Sequence, residues 1–211
     1  MGIGIATGAY GLSFGAISVA SGVSPLQTQA VSLLMFTGAS QFALVGVLGA
    51  GGGAVAAVLT AWLLGTRNGL YALSLAPILN VGGVRRLAAA QLTIDESTAM
   101  ALAHPEPAAA ARRAFWSTGL AVYVLWNLGT LVGALGAAVI DDPATLGLDA
   151  AIPAGFLALL WPRLVGRTMW AVAIAGAVVA LALTPILRPG MPVLAAGIVA
   201  LAASWLIGRR S

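Results

Sequence analysis

The sequence of 211 residues contains no cysteine, no lysine, one histidine and few charged residues. Without cysteine, the chain can form no disulfide, no thiolate nucleophile and no cysteine-ligated metal site. A single histidine, His104, cannot supply a histidine metal cluster. Charged residues make up 8% of the chain, about a third of the roughly 25% that is typical of soluble domains. These shortages exclude a soluble globular enzyme.

Apolar residues and glycine dominate the remaining composition. Hydrophobic residues make up 60% of the chain, the mean hydropathy is +1.01, and there are 27 glycines, which in such an apolar chain favour closely packed helices. We therefore predict an all-α integral membrane protein. The ten basic residues are all arginines and never exceed two in a row. Because a nucleic-acid interface needs a denser basic patch, we exclude nucleic acid and expect the lipid bilayer as the surroundings.

Long uncharged runs predict a bundle of about seven transmembrane helices in one domain, residues 1–211. A helix needs about 20 apolar residues to cross a bilayer. The predicted spans lie near 4–22, 26–49, 54–80, 114–140, 150–165, 168–187 and 190–208. Ser24 and Gln27 fit a capping box with Pro25 at the first helical position, which predicts where the second span begins.

The segment 85–113 is predicted to connect the third and fourth spans. It holds seven of the sixteen charged residues, so we interpret it as an amphipathic or re-entrant connection and not as a full span. Arginine is enriched in cytoplasmic loops. A cytoplasmic 85–113 places eight arginines inside and Arg188 outside, which predicts an outside N-terminus and an inside C-terminus.

Arg67 lies midway along the third predicted span, where a charged side chain needs a partner or a function. Its planar guanidinium can hold a carboxylate through two hydrogen bonds. Asn68 is the next residue, and Tyr71 follows on the same helical face. These three residues are candidate substrate ligands. The alternative is a structural ion pair, or an arginine bonded to the carbonyl groups of a broken helix.

A second group of candidates lies in the middle of the second span. Gly38 and its small neighbours allow a ligand or another helix to approach the backbone closely. Ser40 and Gln41 add side chains that can bind a substrate amine or carboxylate. Hydrogen bonding between helices by Ser40 and Gln41 is the alternative interpretation.

The acidic pair Asp95 and Glu96 has two interpretations. Thr93 followed by Glu96 fits a capping box, which would start a helix near Ile94. Alternatively, Asp95 or Glu96 is the partner of Arg67 or a proton-carrying group that couples protons to transport.

Glycine and proline mark possible breaks and contacts between helices. Gly11 and Gly15 are four residues apart, a spacing typical of helix packing. Pro153 lies in a short apolar stretch, where it permits a broken helix or a simple kink.

The order and spacing of these residues resemble the AzlC family of branched-chain amino acid exporter subunits. The Gly-Ala-Ser-Gln-Phe block is the most specific part of the resemblance. The matching positions are Ser24-Pro25-Leu26, Gly38-Ala39-Ser40-Gln41-Phe42, Arg67, Leu70-Tyr71, Ser74-Leu75, Asp95-Glu96, Trp126, Gly129, Gly133, Leu148-Asp149, Pro153 and Phe156. Family members often have histidine at the position of Asn68, so this chain lacks a titratable group there.

The resemblance implies the large subunit of a two-component secondary transporter in the bacterial inner membrane. It would export valine, leucine and isoleucine, with methionine as a further candidate, together with a small hydrophobic subunit of the AzlD type. We expect Gln41 and Arg67 to line the substrate path and Asp95 or Glu96 to couple or gate it. No catalytic residue, metal or cofactor is expected. A non-transporting scaffold subunit and an exporter of another small solute are the alternatives.

Overall fold

The computed structural model describes residues 2–104, 106–139, 157, 160–161, 164–188 and 190–208. Of these residues 82% are helical and none lies in a strand, in agreement with the predicted all-α class. The helices are α1 (Gly2–Ala20), α2 (Pro25–Leu34), α3 (Ala39–Gly49), α4 (Ala54–Leu79), α5 (Gly83–Gln91), α6 (Asp95–Leu102), α7 (Ala108–Ala137), α8 (Gly166–Leu183) and α9 (Met191–Gly208).

The start of α2 follows the predicted capping box. The backbone N–H of Ser24 donates to Gln27 Oε1 over 3.1 Å, and the N–H of Gln27 donates to Ser24 Oγ over 3.3 Å. Pro25 occupies the first helical position, where its missing N–H leaves no hydrogen bond unmade. Local sequence therefore determines this boundary.

The predicted span 26–49 is not one continuous helix. It divides into α2 and α3, which are separated by residues 35–38. Gly38 has φ +65° and ψ −90°, a backbone conformation that residues with a Cβ rarely adopt. The predicted span 26–49 therefore consists of two helices, because Gly38 turns the chain in its middle.

The polar connection 85–113 contains two short helices and the beginning of a long one. α5 exposes Arg85 and Arg86, and α6 follows after a three-residue break. α7 begins at Ala108, six residues before the predicted start of the fourth span, so Arg112 and Arg113 are exposed residues of its first turns.

Three of the described helices, α1, α7 and α8, are long and apolar enough to cross a membrane. α4 has 26 residues, but Arg67 and Asn68 interrupt its apolar sequence. α3 and residues 191–203 of α9 are shorter apolar helices. The described residues thus support an all-helical membrane protein with three candidate spans, and the predicted count of seven stays a prediction. Most of the fifth predicted span, 150–165, lies outside them.

Glycines bring α1 and α7 into direct backbone contact. A methyl group added at Gly11 would lie 2.5 Å from the carbonyl oxygen of Trp126, and one at Gly15 would collide with that of Thr130. Gly129 and Gly133 face the α1 backbone at Gly8 and Leu12 in the same way. The two helices therefore pack through small residues, the arrangement that glycine pairs favour inside membranes.

An aromatic cluster attaches α3 to this pair of helices. The rings of Phe14, Phe42 and Trp126 are buried, with centroids 5.5 to 6.3 Å apart. α2 is held instead by hydroxyl pairs, Ser18 with Thr28 at 2.7 Å and Ser32 with Thr130 at 3.1 Å. The two halves of the broken span are thus both fixed against α1 and α7.

Candidate functional site

The candidate site is centred on an ion pair between the middle of α4 and the start of α6. Arg67 Nη1 lies 3.1 Å from Asp95 Oδ2, and the two side chains are 28% and 23% exposed. Asp95 is the first residue of α6, where the positive end of the helix dipole favours a carboxylate. The pair is therefore partly buried and partly accessible.

Arg67 and its neighbour Asn68 bind the two breaks in the helical bundle. Arg67 Nη2 donates to the carbonyl oxygen of Thr37 over 3.4 Å, at the break between α2 and α3. Asn68 Nδ2 donates to the carbonyl oxygen of Thr93 over 3.0 Å, at the break between α5 and α6. Breaks free carbonyl groups that must find donors in a membrane protein, and adjacent residues of α4 supply them.

Gln41 joins the two sides of the first break. Its Oε1 accepts from the N–H of Gly38 over 3.1 Å, and its Nε2 donates to the carbonyl oxygen of Val31 in α2 over 3.3 Å. The side chain is fully buried. Both polar groups of Gln41 thus contact backbone at the break, which is a positioning role.

Ser97 fixes the second break. Its Oγ accepts from the N–H of Ile94 over 3.1 Å and donates to the carbonyl oxygen of Leu92 over 2.6 Å. Thr93 does not cap α6, because its hydroxyl donates back to Ala89 in α5 over 2.7 Å. Capping by Thr93 is therefore wrong, whereas the predicted start of a helix near Ile94 is confirmed, with Ile94 as the N-cap residue.

Several polar groups around the ion pair have no hydrogen-bond partner among the described residues. They are Thr37 Oγ1, Ser40 Oγ, Arg67 Nε, Asn68 Oδ1 and Thr98 Oγ1. Ser40 is only 1% exposed and lies against α4, 3.5 Å from the place where Gly65 would carry a Cβ. Buried polar groups are ordinarily paired, so these five groups are exceptions that a polar ligand or water would satisfy.

The remaining predicted site residues lie at different distances from this centre. Tyr71 is half-buried one turn beyond Arg67 on α4, and Glu96 is half-buried beside Asp95. Gly11 and Gly15 lie in the contact between α1 and α7 instead. Pro153 lies outside the described residues.

Thr37 and Ser97 are residues of the site that were not predicted from the sequence. Each has a recognisable position, since Thr37 precedes the turning glycine and Ser97 is the third residue of α6. Among the described residues, no group of three or more histidine, aspartate or glutamate side chains is arranged to hold a metal ion.

The site combines one charge of each sign with two helix breaks. Arg67 and Asp95 lie 3.1 Å apart, Arg67 in the middle of α4 and Asp95 at the N-terminus of α6. Discontinuous helices are a feature of many membrane transport proteins, where they border the transported solute. The described part of the chain shares the feature of helix breaks beside charged side chains.

The comparison with protein families identifies the family of the chain. The family model of the AzlC protein matches residues 2–140, well over half of the chain, and the chain belongs to the AzlC family. This is the family of large subunits of branched-chain amino acid transporters, and it is not an enzyme family. Membership suggests a role related to the transport of branched-chain amino acids. Neither the curated proteins nor the solved structures gave a match.

Proposed function

We propose that the chain exports valine, leucine and isoleucine, and accepts methionine, across the bacterial inner membrane. It acts as the large subunit of a secondary transporter, together with a small hydrophobic membrane subunit of the AzlD type. The observation that carries the proposal is the Arg67–Asp95 ion pair, which lies in the middle of α4 beside two helix breaks.

The ion pair supports an amino acid as the substrate because an amino acid carries the same two charges. Separating a sheltered ion pair leaves two charges uncompensated, which is unfavourable where little water is present. A zwitterion that enters between Arg67 and Asp95 replaces each lost partner, its carboxylate facing the guanidinium and its ammonium facing the carboxylate. A solute without charged groups compensates neither charge, and a single inorganic ion compensates only one of them.

The same exchange provides a way to couple transport to protons. A protonated Asp95 no longer attracts Arg67 as an anion, so its protonation state changes the stability of the closed ion pair. Glu96 is the next residue on α6 and is the second candidate for this role. In the resting state, the Arg67–Asp95 ion pair closes the substrate path. Binding of the substrate or of a proton opens it.

The proposal is tested by measuring efflux of labelled leucine from preloaded cells that express the chain with and without the small subunit. Arg67→Ala should abolish efflux while membrane insertion persists. Arg86→Ala is the matched control, because Arg86 is an exposed residue of α5 away from the ion pair and should leave efflux unchanged.

Each alternative gives a different outcome in this assay. Normal efflux from Arg67→Ala would overturn the site assignment. Efflux from the chain alone would overturn the two-component assembly and make the chain a self-sufficient carrier. An inserted wild-type protein that releases none of the four amino acids would be a scaffold subunit or an exporter of another solute.

A further inference from the structure

We infer that the N-terminus of α3 is the binding site for the carboxylate of the substrate, and that α6 provides the site for its ammonium group. This inference rests on the proposed function and deepens it by assigning an orientation to the bound amino acid. The N-termini of α3 and α6, which border the Arg67–Asp95 ion pair, differ in the charge of their first residues.

The N-terminus of α3 has hydrogen-bond donors that its own sequence does not satisfy. The N-cap residue Gly38 has no side chain that could accept from the amides of the first turn, and no acidic residue follows it. The amides of Ala39 and Ser40 also lack an intrahelical partner, because no helical turn precedes them. This end of α3 therefore carries an uncompensated positive partial charge.

Side chains at the same place add further donors. Ser40 Oγ is buried and has no hydrogen-bond partner among the described residues, and the same holds for Thr37 Oγ1. Arg67 donates to the carbonyl oxygen of Thr37 through Nη2, which brings the guanidinium to this break, while its Nε has no described partner. Amides, hydroxyls and a guanidinium together form a site for a small anion.

The N-terminus of α6 has the opposite character. Its first two residues, Asp95 and Glu96, are both acidic. Asp95 also forms the ion pair with Arg67. A zwitterion bound between the helix ends is thus oriented with its carboxylate at Ala39 and Ser40 and its ammonium at Asp95.

The test compares three ligands on the purified protein, with its small subunit where the two copurify. Leucine carries both charges, leucinamide lacks the carboxylate, and isocaproate lacks the ammonium group. The concentration of each ligand that half-saturates thermal stabilisation is measured for the wild type, Ser40→Ala and Thr37→Val. Thr60→Val is the matched control, because the Thr60 hydroxyl donates only to Ala56 within its own helix.

We expect Ser40→Ala and Thr37→Val each to weaken the binding of leucine and of isocaproate by about tenfold, because each substitution removes one hydrogen bond to a charged group. The binding of leucinamide should change by less than about twofold, because the substitutions do not touch the hydrogen bonds of its ammonium group. Ser40→Asp gives a second test, since a carboxylate in the first turn of α3 occupies the site itself. It should abolish binding of isocaproate and leucine and preserve binding of leucinamide.

Equal weakening of all three ligands, or no change in any, would overturn the orientation. Stabilisation of the wild type by chloride as strongly as by isocaproate would show a general anion site and would also overturn it. If the wild type binds isocaproate through Ser40 but does not export leucine, the proposed function fails and the carboxylate site stands. If the wild type binds neither leucine nor isocaproate, the carboxylate site fails.

Discussion

Gln41 and Ser97 occupy the same position in two different helices. Each is the third residue after a break, Gln41 in α3 and Ser97 in α6, and each accepts the backbone N–H of its N-cap residue over 3.1 Å. Each also donates to an earlier carbonyl oxygen, Gln41 to that of Val31 across its break and Ser97 to that of Leu92 within its break. Local hydrogen bonds thus fix both helix starts. The side chains of Arg67 and Asn68 link the two breaks to α4.

Replacing Ser97 by alanine should destabilise the protein and displace Asp95. The change leaves the N–H of Ile94 and the carbonyl oxygen of Leu92 without their partner in a buried place, which costs about 1–3 kcal/mol. The apparent melting temperature in detergent and the rate of leucine efflux should both fall. Ser117→Ala is the control, because Ser117 is exposed and bonds within α7; a similar loss in both variants would contradict the role of Ser97.

Replacing Gly38 by alanine should strain the break between α2 and α3. At φ +65° a Cβ costs about 1–2 kcal/mol, and the turn directs both Gln41 and the carbonyl oxygen of Thr37. Thermal stability and efflux are the measurements. Gly69→Ala, an exposed position within α4 where a methyl group meets nothing within 4 Å, should be tolerated. Full stability and activity of Gly38→Ala would show that the turn is not required.

Two glycines of α7 provide a matched pair for testing the contact with α1. A methyl group at Gly133 would collide with the carbonyl oxygen of Leu12, whereas one at Gly136 meets nothing within 4 Å. Gly133→Ala should therefore separate the helices and cost about 1–3 kcal/mol, as overpacking does, and Gly136→Ala should not. Equal melting temperatures of the two variants in detergent would refute the proposed tight packing.

Asp95→Asn should uncouple export from the proton gradient. The substitution removes the carboxylate that we propose to take up and release the coupling proton, so an imposed proton gradient should no longer accelerate leucine uptake into everted vesicles, whose outer face is the cytoplasmic one. Glu96→Gln separates the two carboxylates, because it should keep the wild-type response to the gradient if Asp95 is the coupling group. A wild-type response in Asp95→Asn together with a lost response in Glu96→Gln would transfer the role to Glu96.

The sequence predicts those features that depend on composition and on neighbouring residues. Low charge and long apolar runs are sufficient for an all-helical membrane protein, and Ser24 with Gln27 is sufficient for the start of α2. The position of Arg67 inside an apolar run also draws attention to the centre of the site, and an ion pair with Asp95 was among the alternatives that the residues allow.

The two breaks were not predicted for different reasons. The run 26–49 is uninterrupted by charge, and only Gly38 marks its division, while Arg67 supplies a donor from 30 residues away. Thr93 followed by Glu96 has the pattern of a cap, yet the hydroxyl of Thr93 bonds to α5 and Ser97 accepts the N–H of the N-cap residue instead. A distant residue therefore contributes to the first break, whereas at the second break one local hydrogen-bond pattern replaces another.

The contact between α1 and α7 constrains how the protein is made. Gly15 and Thr130 touch although about 115 residues separate them along the chain. At the usual speed of synthesis, α1 leaves the ribosome on the order of ten seconds before α7 is complete. During that interval the glycine surface of α1 faces lipid, the insertion machinery or a companion protein. The contact between α1 and α7 therefore forms only after α7 has been synthesised.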